Sequence, residues 1–457
     1  MIRDLTHGKE RNVLIRFSIP LILGNLIQQM YNVADTLIVG KFLGPNALAA
    51  VGASYTLMVL ITSIILGLCI GSGIVFSQLF GAKRIDDLKT SIFNSFIFIT
   101  LVTIVINIGA FMLLDKLMLW LNIPKEAIVY TKAYLRVIFI GIGFTFIYNF
   151  ISSILRSVGN SVAPLIFLAI SAIINIILDI IFILLFDMGV RGAAFATIIA
   201  QGISAIAVVI YFYYKSPELK PDRKNMYYDK VILKMVMSNS ILTSIQQSIM
   251  NFGILMVQSL VNSFGISVMA AFATVTKIDS FAYMPAQDFG NAFSTYIAQN
   301  YGAKKFNRIN KGTKEALKIS FIFCIITSII VFIFAKYLMM IFVSSTEKEV
   351  IAIGMQYLRI EGLCYVGIGL LFLFYGFYRG IGKPEMSIIL TVVSLGSRVL
   401  LAYTLSSIES IGVLGIWWSI PIGWLLADSI GFIYLKIKKD TLFIKEDNII
   451  NNGMDIL

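Results

Sequence analysis

Charge is scarce in this chain: 14% of its 457 residues are Asp, Glu, Lys or Arg, against 58% hydrophobic, and the mean hydropathy is +0.87. A soluble domain carries about 25% charged residues, so a water-exposed globule is excluded. Histidine is nearly absent. Its single copy, His7, precedes the first apolar stretch, which excludes a His-based metal site or proton relay. The three cysteines, Cys69, Cys324 and Cys364, lie inside apolar runs without paired spacing. Neither a disulfide framework nor a zinc site is expected from them, and they read as small core residues. No Gly-x-x-x-x-Gly-Lys-Ser/Thr phosphate loop occurs, and Gly380-Ile381-Gly382-Lys383 is too short to be one, so ATP is not the direct energy source. An aspartate-rich metal-diphosphate motif, a Ser/His/Asp set and a Cys/His set are also missing. The chain is therefore not expected to be an enzyme or to hold a cofactor. A cleaved signal peptide is not expected either, because the first apolar run is too long and lacks a small-residue cleavage site.

What is present is a succession of long apolar runs. Crossing about 30 Å of hydrocarbon takes about 20 residues of helix, and irregular backbone cannot face lipid. Cutting at charge and turn clusters predicts twelve spans, near 13–40, 47–80, 90–114, 127–155, 162–186, 190–214, 233–263, 268–300, 315–341, 350–378, 385–407 and 411–435. The net charge of +12 does not indicate nucleic acid, because the basic residues cluster between apolar runs and not along one polar face. Every second boundary is basic: Arg3, Lys9, Arg11 and Arg16; Lys83, Arg84 and Lys89; Arg156; Lys215 to Lys234; Lys304 to Lys318; Arg379 and Lys383; and Lys436 to Lys445. The opposite loops carry fewer, among them Lys41, Lys125, Arg191 and Lys348. By the positive-inside rule both termini are expected in the cytoplasm, with the protein in the cell's inner membrane.

The sequence also repeats itself. A shift of 221 lays Gly44 on Gly265, Ala49-Ala50 on Ala270-Ala271, Gln78 on Gln299 and Gly81-Ala82-Lys83 on Gly302-Ala303-Lys304. A shift of 223 lays Tyr134-Leu135-Arg136 on Tyr357-Leu358-Arg359, Arg156 on Arg379, Gly159 on Gly382, Gly189-Val190 on Gly412-Val413 and Gly192 on Gly415. Chance matching of apolar residues does not hold register across glycines and charges. Six spans per copy make the repeats parallel, related by an axis along the membrane normal. The expected architecture is an all-α integral membrane protein of two six-helix lobes around a central cleft: an N-lobe over 1–214, a cytoplasmic linker over 215–232, a C-lobe over 233–435 and a cytoplasmic tail over 436–457. The expected state is a monomer.

Ionisable residues inside spans are costly and mark function by default. Asp35 lies near the outer end of the first span and Asp179 near that of the fifth, both roughly 8–12 Å below the outer surface at 1.5 Å per residue. Asn175 is one turn from Asp179 on the same helix face, and Thr197, in the sixth span, shares that depth. Two carboxylates with amide and hydroxyl oxygens suit a monovalent cation or a shared proton. A hydrogen-bonded clamp between helices is the plainer reading, but no basic residue of the N-lobe spans lies at that depth to neutralise two acids.

Pro20, the run from Gly24 to Thr36, Val39-Gly40-Lys41-Phe42-Leu43-Gly44, the Gln-x-x-Gly-Ala-Lys element in both halves and Asn175-x-x-x-Asp179 together resemble the multidrug and toxic compound extrusion (MATE) family, over residues 12–435 and in its bacterial multidrug branch. The resemblance implies an antiporter that exports drugs, often organic cations, in exchange for Na⁺ or H⁺. Its N-lobe cation site falls on Asp35, Asn175, Asp179 and Thr197. Ser248 stands where one branch of the family has an acid, so a C-lobe cation site of that kind is not expected. By the internal repeat the same four residues align with about Leu255, Arg398, Ala402 and Ile420, none of them acidic.

The C-lobe spans hold Lys277, Asp279, Asp288, Arg359, Glu361, Arg398 and Asp428. Their mixed signs predict internal salt bridges. Asp279 is the preferred exception, near the interruption at Tyr283-Met284-Pro285, and Asp279, Met284 and Arg398 are candidate substrate contacts. Two other functions compete. A flippase of lipid-linked precursors calls for a large cationic cavity, for which Arg398 and Lys277 are available. A non-transporting receptor or scaffold predicts no buried acids.

Overall fold

The computed structural model describes residues 3–120 and 125–452, and among them the backbone forms helices and no strands. In chain order these are α1 (Glu10–Leu43), α2 (Pro45–Gly81), α3 (Ile85–Trp120), α4 (Lys125–Ser157), α5 (Val162–Ile180), α6 (Gly189–Lys215), α7 (Lys230–Asn262), α8 (Ile266–Ala282), α9 (Met284–Gly302), α10 (Phe306–Met340), α11 (Lys348–Leu363), α12 (Tyr365–Gly380), α13 (Pro384–Ser406) and α14 (Val413–Asn452). Ten of the described helices are long and apolar enough to cross a membrane, and α11 with α12 makes an eleventh when taken as one bent span. The chain is a multi-pass, all-α protein of the inner membrane, as the apolar runs require.

Three predicted spans differ in detail. The stretch 268–300 is divided at Tyr283, with Pro285 in the first turn of α9, where proline's missing N–H costs nothing. The stretch 350–378 is divided at Cys364 by a bend of 52°. The fifth span ends in a π-helical turn, Ile181–Leu185, beginning two residues after Asp179. The predicted tail 436–457 continues α14 as far as Asn452, and 453–457 lie outside the described residues, as do the side chains of Lys125, Lys439 and Lys445.

The chain divides into two compact units, the first of Met1–Asp4 with Arg16–Ser248, the second of Leu5–Ile15 with Ile249–Leu457. In the first, α4 is central and packs on α2, α3 and α6, with α5 against α6. In the second, α12 is central and packs on α9, α10, α13 and α14, while α8 lies against α11. Glycines let these backbones approach. A Cβ on Gly71 would stand 2.4 Å from the Asn239 carbonyl oxygen in the first unit, and one on Gly376 would stand 2.4 Å from that of Gly290 in the second. Without a hydrophobic drive between helices in lipid, such close packing supplies much of the cohesion.

The turns carry the repeat into the backbone. Positive φ occurs at Gly44 (84°) and Gly265 (100°), Lys83 (59°) and Lys304 (56°), Gly159 (80°) and Gly382 (73°), and Gly189 (57°) and Gly412 (52°). These four pairs keep the sequence shifts of 221 and 223. At Gly44, Gly265, Gly189 and Gly412 a Cβ would meet nothing within 4 Å, so glycine is needed there for its conformation and not for space.

Within the second unit, the segment before α1 is tied to α9 and α10. Leu5, 2% exposed, donates its N–H to Gln299 Oε1 at 2.8 Å, Lys305 Nζ donates to the Thr6 carbonyl at 2.9 Å, and Arg308 Nη1 donates to that of Gly8 at 2.6 Å. On the first unit, the segment before α7 is clamped by Lys89 to Asp222 at 2.9 Å and Lys224 to Asp86 at 3.2 Å. Both aspartates are held below the usual carboxylate range, first by the hydrogen bond from the lysine beside each.

Candidate functional site

In the first unit, α1, α5 and α6 bring the four predicted residues together. Asp35 is 9% exposed, Asn175 2%, Asp179 0% and Thr197 7%. The Asp35 and Asp179 carboxyls lie within hydrogen-bonding reach of each other. The Asn175 amide donates to Thr197 Oγ1 at 3.4 Å, and the Thr197 hydroxyl donates to the Ala193 carbonyl at 3.0 Å. Asp35 Oδ1, Asn175 Oδ1 and both carboxyl oxygens of Asp179 are buried without a hydrogen-bond partner. Two adjacent, desolvated carboxylates with no positive charge beside them do not both stay charged in a low-dielectric interior. Buried acceptor oxygens of this kind suit a proton shared between the acids or a monovalent cation. Among the described residues no group of three or more His, Cys, Asp or Glu comes together to hold a metal ion.

Two tyrosines complete this site that sequence reasoning missed. Tyr31, one turn before Asp35 on α1, and Tyr134 on α4 both lie in the field of the two acids, and the Tyr134 hydroxyl reaches Thr197. A signal for Tyr134 did exist, because the repeat pairs it with Tyr357.

The second unit departs from expectation. Lys277 and Arg359 are exposed, with their charges over the rings of Phe342 at 5.9 Å and Phe332 at 5.4 Å, so they do not neutralise the buried acids. Among the described residues the predicted salt bridge does not form at Glu361, and Asp279, the expected exception, forms none either. These two, each 3% exposed, approach one another from α8 and α11. The Tyr365 hydroxyl donates to Asp279 Oδ1 at 2.5 Å, and Glu361 Oε2 has no partner. Arg398, half-buried on α13, acts on both acids from a distance, and its Nε is unpartnered. Met284 is half-buried at the break between α8 and α9. Asp428 is buried on α14, with Oδ1 unpartnered.

Many apolar spans around buried, unpartnered carboxyls define a polytopic transporter, a protein that moves solutes and carries out no bond chemistry. The MatE family model matches residues 20–181 and 240–404. The chain is 32% identical over 441 residues to the probable multidrug resistance protein YpnP of Bacillus subtilis (strain 168), covering 95% of this chain and 96% of that one. It is 27% identical over 414 residues to the probable multidrug resistance protein YoeA of the same strain, covering 89% of each. Its fold is similar to that of a MOP superfamily transporter from Pyrococcus furiosus Vc1, with a TM-score of 0.91 at 24% identity over 96% of this chain and 98% of that one. The chain belongs to the MatE family, the multidrug and toxic compound extrusion transporters, in its bacterial multidrug antiporter branch. It is a secondary-active transporter and not an enzyme, and transporters of this family are ion-coupled.

Proposed function

We propose that the protein exports amphiphilic organic cations from the cell against an inward flow of Na⁺ or H⁺, with Asp35, Asn175, Asp179 and Thr197 as the ion site. The observation that carries this is the set of buried acceptor oxygens without donors around Asp35 and Asp179. The printed names of the Bacillus relatives, multidrug resistance proteins, support the substrate class. Twelve spans arranged as two parallel six-helix repeats, N-lobe 1–214 and C-lobe 233–435 with both termini cytoplasmic, are the topology we assign, and the paired turn geometries support it. On the substrate side, Met284 offers pliable apolar contact and Arg398 and Asp279 set the local charge. The protein works as a monomer in the bilayer.

The ion and the drug compete through charge. An ion bound between Asp35 and Asp179 cancels the field that favours a cationic drug. The drug leaves, and by reciprocity the drug lowers ion affinity by the same factor. Pro20 and Gly24, which packs on Leu165 and Leu168 of α5, provide the place where α1 bends as its acid changes partner. Efflux of a cationic dye from vesicles is measured under an imposed Na⁺ gradient and, separately, an imposed pH gradient. One of the two is expected to drive efflux, and failure of both contradicts antiport.

A further inference from the structure

We propose that the connector between α6 and α7, residues 216–229, together with the helix ends that flank it, is a docking surface for the headgroups of anionic phospholipids in the bilayer the protein spans. The surface lies wholly in the first unit. It involves neither the ion site proposed above nor the drug, and it does not rest on that reading.

The case begins with what the connector buries and what it leaves out. Ser216, Leu219 and Asn225 are buried, and the short turns Pro217–Leu219 and Arg223–Asn225 pack on α3. Asn94 of α3 holds the next stretch, donating to the Tyr227 carbonyl at 3.0 Å and accepting the Asp229 N–H at 3.4 Å. The backbone of the connector is thus fixed. What faces outward is aromatic: Tyr214 is 76% exposed and Tyr228 69%, and Tyr213, Met226 and Tyr227 are exposed as well. A fixed loop that holds its tyrosines out is not folded for water alone. Tyrosine, with an apolar body and a polar tip, is a residue that settles at headgroup level. Both α6 and α7 are long and apolar enough to cross a membrane, so a connector running from Lys215 to Lys230 stays at that level.

Charge supplies the choice of lipid. From Lys215 to Lys234 the chain has six basic residues and three acidic ones. Two of the acids are engaged: Asp222 takes Lys89 at 2.9 Å, and the Asp229 carboxylate accepts the Val231 and Ile232 N–H groups at 2.9 Å as the cap of α7. In the first turn of α3, Asp86 takes Lys224 at 3.2 Å and Asp87 takes Arg84 at 2.6 Å. Of these acids only Glu218 remains. Lys215, Arg223, Lys230 and Lys234 are exposed and in no ion pair among the described residues. Lys220 sits over the Tyr213 ring at 3.3 Å, so cation and aromatic are interleaved. An anionic phospholipid meets both needs, with its phosphate on the cations and its glycerol and upper acyl chains on the tyrosines and Met226. A zwitterionic phospholipid carries its own ammonium beside the phosphate, which cancels the attraction. An acidic soluble protein would satisfy the cations, but the two span ends beside the patch fix it at the bilayer surface.

The test uses Tyr228→Trp in the purified full chain, reconstituted in phosphatidylcholine bilayers with phospholipids brominated high on the acyl chain as quenchers. The emission added by the substitution, read against the unsubstituted chain, reports lipid at this patch alone. Brominated phosphatidylglycerol is expected to quench it at about fivefold lower mole fraction than brominated phosphatidylcholine, the equivalent of one basic residue at the surface. That preference is expected to disappear in Lys215→Gln/Arg223→Gln/Lys230→Gln/Lys234→Gln. It is expected to survive Lys311→Gln/Lys314→Gln/Lys318→Gln, which removes the same kind of charge from α10 in the second unit. Equal quenching by the two lipids overturns the proposal, as does no quenching by either, the result a soluble partner would give. A preference that both variants keep, or that both lose, overturns it as well. If the first variant does not fold, salt is read in its place: at about 1 M, where charges are screened beyond roughly 3 Å, the preference should vanish. A preference untouched by salt overturns the proposal equally.

Discussion

The two units each bury a pair of carboxyls, yet they treat them differently. In the first, the acids come from α1 and α5, no basic residue among those described acts on them, and four acceptor oxygens are without a partner. In the second, the acids come from α8 and α11, Tyr365 donates to one of them, Arg398 supplies a nearby positive charge, and a single carboxyl oxygen of the pair is unpartnered. Charge left uncompensated costs most inside hydrocarbon, which is why the first pair is the one we propose to take up and release a cation. In the second the protein itself serves most of the acids' oxygens. The two pairs differ, on this comparison, in how many of their oxygens the protein itself leaves unserved.

The largest expected effect breaks the comparison at its strongest point. Asp179→Asn or Asp35→Asn keeps shape and hydrogen bonding but removes the exchangeable charge, and each is expected to reduce ion-driven dye efflux to the level of empty vesicles. Glu361→Gln is expected to retain ion-driven efflux. Next in size is packing. Gly376→Ala drives a Cβ against the Gly290 carbonyl in the second unit, and Gly71→Ala does the same against Asn239 in the first. Each should cost about 1–3 kcal/mol and appear as a lower Tm in detergent.

A smaller effect sharpens the role of the shared tyrosine position. Tyr134→Phe removes the hydroxyl that reaches Thr197, worth about 1 kcal/mol, and should shift the ion concentration for half-maximal dye release by about fivefold. The smallest is at the exposed clamps Lys89–Asp222 and Lys224–Asp86. Because their aspartates are held below the usual carboxylate range in the folded chain, the clamps contribute above that range and are lost as pH falls through the lowered values. Hydrogen exchange over 217–226 should rise at acidic pH, and modestly, since exposed ion pairs contribute little.

Much of the first unit's site was legible because depth along a helix follows from residue counting, which put Asp35, Asn175, Asp179 and Thr197 at one level. The apolar runs were legible for the same reason that lipid forbids irregular backbone. The break at Tyr283 was marked by Pro285. The bend at Cys364 was not, since Glu361-Gly362-Leu363-Cys364 contains no proline and the following residue, Tyr365, is anchored to Asp279 by a contact distant in sequence. The second acid pair was hidden by composition. Mixed signs favoured salt bridges, but Lys277 and Arg359 extend away from the core onto Phe342 and Phe332 and leave the acids to each other.

The central claim is that ion and drug compete through the charge on Asp35 and Asp179, and equilibrium binding tests it most directly. A fluorescent organic cation is bound to purified protein and titrated with Na⁺ at fixed pH, then with acid at fixed Na⁺. In the native chain at least one titration is predicted to weaken dye binding, by about 5- to 150-fold, and that effect is predicted to vanish in Asp35→Asn. Dye affinity unchanged in both titrations of the native chain would contradict the claim.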